Sequence, residues 1–115
     1  KKILDPNISL SATCVRVPVY FGHGESVNIE LKDPMKPEDA KRILSNAPGV
    51  SLLDNPSKDI YPLPIKAEGQ DDVFVGRIRK DESHPNGLVM WVVADNIRKG
   101  AALNTIQIAE KMLDH

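Results

Sequence analysis

One cysteine, one tryptophan, two tyrosines and two phenylalanines are all that 115 residues carry of those types. A single cysteine excludes an internal disulfide, and without a second cysteine or a close histidine pair there is no metal-ligand spacing. Fifteen Lys and Arg offset sixteen Asp and Glu, giving a formal charge of −1, with both signs scattered rather than blocked. That balance argues against a nucleic-acid footprint and against binding to an anionic membrane. The longest apolar run, Leu88 to Ala94, is far short of a membrane span, and the N-terminus lacks the basic-then-apolar layout of a secretory signal. These absences predict a cytoplasmic protein with neither nucleic acid, membrane nor metal as partner. The length suits a single compact domain, residues 1–115. The chain opens on Lys1-Lys-Ile-Leu-Asp-Pro6 without a methionine, which reads as the last turn of a helix cut from a longer protein.

Residues 8–19, "ISLSATCVRVPV", alternate apolar and small polar side chains and are rich in β-branched types, which predicts a strand. Glu25, Val27, Ile29 and Leu31 alternate with Ser26, Asn28 and Glu30 as a second strand with one wet face. Between them Gly22 and Gly24 bracket His23 and are expected to loosen the backbone. "EDAKRILSN" keeps helical spacing behind Pro37 and stops at Pro48-Gly49. Val50 to Leu53 is a brief strand, and 54–72, with three prolines, reads as an irregular crossing with an extended piece near Ile65. "DVFVGRIRK" (72–80) and "GLVMWVVAD" (87–95) form a hairpin across the His84-Pro-Asn-Gly loop, the second strand apolar on both faces and therefore central. From Asn96 on, Ala102, Ile106, Ala109 and Leu113 make one stripe of a final helix, about 96–114, with Asp95 or Asn96 as N-cap. Hairpin-type connections and only two helices predict an α+β fold, with a mixed, largely antiparallel sheet and helices packed on one face.

Three residues interrupt the apolar stretch "CVRVPVYFGHGES" and carry its chemistry. An arginine in so apolar a strand must meet an anion or bear a large desolvation cost. Arg16 is either half of an ion pair with Glu25 or Glu30, or a planar fork that holds a substrate carboxylate. His23 is either an exposed loop histidine or a proton-transfer group that the flanking glycines open to substrate. Cys14 lies mid-strand and reads as a buried structural thiol rather than a nucleophile. "DNIRKGAAL" offers a helix N-terminus with free amide donors for an anionic or amide-bearing ligand.

The blocks "SATCVRVPVYFGHGESVNIEL" and "DVFVGRIRKDESHPNGLVMWVVADNIRKGAALNTIQIAEKML" resemble the C-terminal half of bacterial-type aspartate-semialdehyde dehydrogenases. The resemblance covers nearly the whole chain and is weakest across 34–70. It implies the C-terminal-domain fold of the glyceraldehyde-3-phosphate dehydrogenase type, and an oxidoreductase that converts aspartyl phosphate to aspartate semialdehyde and phosphate with NADPH, on the route to lysine, methionine, threonine and diaminopimelate. By resemblance, Arg16 binds the substrate carboxylate, His23 is the acid/base, and Asn96 contacts the cofactor near the nicotinamide. The family's nucleophilic cysteine and its glycine-rich NADP-binding turn belong to an N-terminal half with no counterpart here, and Cys14 is not that nucleophile. The fragment alone is expected to be inactive, its final helix to pack on the N-terminal domain, and its partner to be a second copy in a homodimer. Gly24 stands where many relatives carry serine. Two other readings fit the residues: a non-catalytic dimerisation or regulatory module that keeps the fold, and a domain akin to an N-acetylglutamyl-phosphate reductase.

Overall fold

A computed structural model describes residues 5–113. Its elements are β1 (His23–Glu30), α1 (Pro37–Ser45), β2 (Val50–Leu52), α2 (Pro64–Ala67), β3 (Val73–Lys80), β4 (Gly87–Ala94) and α3 (Leu103–Leu113). A single turn at Pro56–Lys58 and a π-helical turn at Arg98–Ala102 complete the list. The strands form one sheet in the order β1-β4-β3-β2, antiparallel except for the parallel β2–β3 pair. The mixed, largely antiparallel sheet and the central β4 agree with the sequence reading. Residue 114 of the expected final helix lies outside the described residues.

Two faces of the sheet are built differently. On one, Ala40 and Leu44 of α1 meet Val75, Ile78 and Leu88, flanked by Ile29, Val73, Met90 and Val92. Alternation turns Val75 to this face and Gly76 to the opposite one, yet Ile78 joins Val75 in the core again. A β-bulge between Gly76 and Arg79 explains this, because two residues of β3 oppose Met90 alone. Arg77, the extra residue, takes a left-handed φ of 54°, a conformation that disfavours a residue with a Cβ. The Asp54 carboxylate holds it there by accepting from the N–H groups of Arg77 (2.9 Å) and Ile78 (3.1 Å) and from the Lys41 ammonium (2.9 Å). The Asp54 side chain is only 1% exposed, so every one of those donors compensates its burial. On the other face the crossing segment returns over β3 and β4: Trp91 Nε1 donates to the Pro62 carbonyl (3.1 Å), and Pro62 seats against Gly76.

The first strand of the sequence reading does not form. Residues 5–21 are irregular and exposed, with Tyr20 fully so. The physical reason is that β-propensity is a preference for a half-buried pleated surface, and a strand needs a neighbouring edge to satisfy its N–H and C=O groups. β1 is itself an edge of the sheet, and no strand of the described chain pairs with 8–19. Cys14 is accordingly exposed rather than buried. The expected extended piece near Ile65 is instead the short helix α2, which Pro64 opens at its first turn.

Candidate functional site

The antiparallel pairing of β1 with β4 sets His23 opposite Ala94, two residues before Asn96. His23 is thus the first residue of an edge strand rather than a loop residue between strands. Its ring Nε2 lies 2.8 Å from Glu25 Oε1, a pair that strand periodicity places on one face. In the neutral ring, a carboxylate acceptor at Nε2 places the proton on that nitrogen and the lone pair on Nδ1. The pair is solvent-exposed. The sequence reading placed Glu25 in line with Val27 and Ile29 and offered it as a partner for Arg16; its pairing with His23 was missed, and the i, i+2 spacing was the signal available.

The glycines either side of His23 pack tightly rather than loosening the chain. Gly22 has φ +88°, and a Cβ there would lie 2.9 Å from Pro64 Cβ. At Gly24 a Cβ would lie 2.6 Å from the Trp91 ring, although Gly24 itself has no left-handed φ. The backbone is glycine on both sides because other parts of the fold press on it. The Gly22 N–H donates to Asn96 Oδ1 at 3.0 Å. Two of the three expected site residues, His23 and Asn96, are therefore brought together, though they are far apart in sequence.

Arg16 is not brought to them. It lies in the exposed irregular segment, and no hydrogen bond or ion pair joins it to a described residue. The structural ion pairs considered for it are absent among the described residues, because Glu25 pairs with His23 and Glu30 stands 3.6 Å from His84. An unpartnered guanidinium remains available to an external anion.

The helix start after β4 is not the open anion site that its sequence suggests. Asp95, 4% exposed, accepts from Ile97 N–H (2.8 Å) and Arg98 N–H (3.0 Å) through Oδ1 and from Gly69 N–H (2.8 Å) through Oδ2. Those bonds, the Arg98 and Gly69 amides foremost, hold the Asp95 carboxyl below its usual range. Asp95 is the N-cap, and its charge already fills the place an anionic ligand would take. Toward a dinucleotide this helix start therefore offers the side-chain NH2 of Asn96, its first amides being taken by Asp95. That donor fits the carboxamide end of a nicotinamide.

A concavity of about 340 Å³ lies on the face opposite α1, lined by Ser26, Tyr61, Arg77, Arg79 and Trp91. The Arg77 guanidinium sits 5.9 Å from the centroid of the Tyr61 ring. The third feature is α3, none of whose residues is buried: Ile106, Met112 and Leu113 of its apolar side are exposed. Among the described residues, no helix is long and apolar enough to cross a membrane.

Residues 1–99 match the family described as semialdehyde dehydrogenase, dimerisation domain. The chain belongs to that family. It is 59% identical over 114 residues to an aspartate-semialdehyde dehydrogenase of Aquifex aeolicus and 59% identical over 112 residues to one of Legionella pneumophila. Those matches take in 98% and 96% of this chain but 34% and 32% of the relatives, so the chain spans about a third of their length. Its fold superposes with a TM-score of 0.82, at 45% identity, on the crystal structure of aspartate semialdehyde dehydrogenase II from Vibrio cholerae complexed with ASA, covering 89% of this chain and 30% of that one. A probable aspartate-semialdehyde dehydrogenase from Pseudomonas aeruginosa superposes at 0.74 with 34% identity, over 85% of this chain and 29% of that one. The expected family and α+β fold are both borne out.

Proposed function

We propose that this chain is the substrate-binding and dimerisation domain of an NADP-dependent aspartate-semialdehyde dehydrogenase. The observation that carries the reading is His23, held at the β1–β4 edge beside Asn96, in a chain of that family's dimerisation domain. The substrate is aspartyl phosphate, and the products are aspartate semialdehyde and phosphate.

In this reading Arg16 supplies a fork of donors that takes the substrate's carboxylate bidentately, a geometry a lysine ammonium does not reproduce. The acyl group is carried by a thiol from a part of the enzyme outside this chain, as the family resemblance implies. His23 accepts the proton as that thiol attacks and phosphate leaves, and returns it to the departing thiolate sulfur as the tetrahedral adduct opens to the aldehyde. Its free nitrogen is Nδ1, because Glu25 occupies Nε2. Asn96 offers its amide NH2 to the nicotinamide end of NADPH, which supplies the hydride when bound. The active protein is a homodimer whose interface includes exposed apolar surface of this domain, and α3 seats its apolar side on the cofactor domain. The compartment is cytoplasmic.

Steady-state kinetics of the full-length enzyme test the reading. His23→Asn is expected to lower kcat about a hundredfold or more while KM changes little. Arg16→Lys is expected to raise the KM for the aspartyl substrate by about tenfold or more and to spare the fold. Unchanged turnover in the first variant removes His23 from the chemistry, and an unchanged KM in the second removes Arg16 from the substrate.

A further inference from the structure

His23 is the first residue of an edge strand, where the ladder with β4 constrains it from one side only. The residue before it is glycine, whose backbone has the widest conformational range of any residue. Left to the ladder alone, the His23 side chain would sweep a wide arc. The structure supplies a second constraint, in that Gly22 donates its N–H to Asn96 Oδ1 at 3.0 Å, across 74 residues of sequence. Pro64 blocks the other side, 2.9 Å from where a Gly22 Cβ would sit. Asn96 is itself placed by its neighbour, the N-cap Asp95, which is buried and tied to Gly69, Ile97 and Arg98.

The chemistry of that bond divides the Asn96 amide into two halves. A backbone N–H can only donate, so the half facing Gly22 is the carbonyl oxygen, and the orientation of the amide follows from its partner. The NH2 half is turned away from Gly22. We propose that Asn96 is a positioning residue for His23, acting through the Gly22 N–H, and that its amide NH2 is the half that meets the cofactor. This inference rests on the reading of His23 as the acid/base. It makes the strand that carries the acid/base and the turn that meets the nicotinamide one mechanical unit, so that hydride donor and proton donor are set relative to each other by a single side chain.

Two substitutions separate the halves. Asn96→Asp keeps an oxygen acceptor for Gly22 and removes the NH2 donor, and a thermal melt checks that its added charge beside Asp95 leaves the fold intact. Asn96→Ala removes both. In the full-length enzyme, N96A is expected to lower kcat about tenfold through misplacement of His23. N96D is expected to recover most of that turnover while raising the KM for NADPH. Hydrogen exchange of the Gly22 amide reads the bond without activity: slow in the wild type and in N96D, and about tenfold or more faster in N96A. Equal loss of kcat in N96A and N96D, or no loss in N96A, overturns the positioning role. Gly22 exchange that is unaltered in N96A overturns it as well. His23→Asn with full turnover would instead refute the acid/base reading while leaving the Gly22 exchange result to stand by itself.

Discussion

At the scale of single residues, the site depends on close approaches that no side-chain chemistry announces. Gly24 accepts the Trp91 ring at a distance that leaves no room for a Cβ. Gly24→Ser is therefore expected to destabilise the chain by about 1–3 kcal/mol through overpacking. Pairing it with Trp91→Phe should recover part of that loss in urea denaturation, limited by the Trp91–Pro62 hydrogen bond that the phenylalanine gives up. Additive effects in the double variant would show that the indole is not what a residue at 24 meets. Arg16 and His23 stood out in the sequence because charged and polar groups in an apolar stretch are conspicuous, whereas Asn96 was marked only by the family resemblance of "DNIRKGAA". The packing that makes both neighbours of His23 glycine was not, because Pro64 and Trp91 arrive from other elements.

At the scale of elements, two carboxylates organise turns that the pattern of apolar residues leaves undefined. Asp54 holds the bulge of β3 from a buried position, satisfying two backbone donors and Lys41. Asp54→Ala is expected to cost about 3–5 kcal/mol, since it strands those donors and leaves Lys41 without its partner. A loss under about 1 kcal/mol would mean the left-handed Arg77 is stable unaided. In the β3–β4 loop, Asp81 accepts from the Ser83 hydroxyl (2.7 Å), Asn28 Nδ2 (3.0 Å) and the Ser83 N–H (2.9 Å), and its pKa is lowered to about 2. Asp95 is lowered for the analogous reason, by the amides it caps. A carboxyl whose folded pKa is depressed contributes stability that is full above its unfolded value, near 3.8. That contribution disappears as the pH falls through the folded value. Urea midpoints should thus be flat above about pH 5 and fall between about pH 4 and pH 2, and Asp81→Asn should flatten that fall. The hairpin itself was legible from its two apolar runs and turn residues. Neither carboxylate role was, because each acceptor serves donors that tertiary folding delivers.

At the scale of the whole molecule, the domain leaves two apolar surfaces without cover in the described chain: the segment through residues 8–21 and the outer side of α3. Surfaces of this kind accompany obligate partners, in agreement with a family named for dimerisation. Trypsin should cut the isolated chain first after Arg16, where the backbone is irregular and exposed, and only later within β3. In the assembled full-length enzyme with substrate present, the same bond should survive many times longer. Early cutting inside β3, or equal sensitivity of Arg16 in both states, would mean that this segment gains no cover on assembly.

The sequence by itself determined α1, the two long paired strands, the central position of β4, the final helix and the class of fold, because these follow from periodicities of two and 3.6 residues that each element carries within itself. It also marked Arg16 and His23 as anomalies of an apolar stretch, and Asn96 through the family resemblance. Only the tertiary structure decided that 8–19 is not a strand of this sheet, that Cys14 is exposed, and that Asp95 closes the helix start to anions. It alone decided, too, that Asn96 reaches Gly22. The physical reason is common to all four. A strand, a buried thiol, a capped amide and a long-range hydrogen bond are each defined by the partner that satisfies them, and partners are supplied by the arrangement of the chain in space.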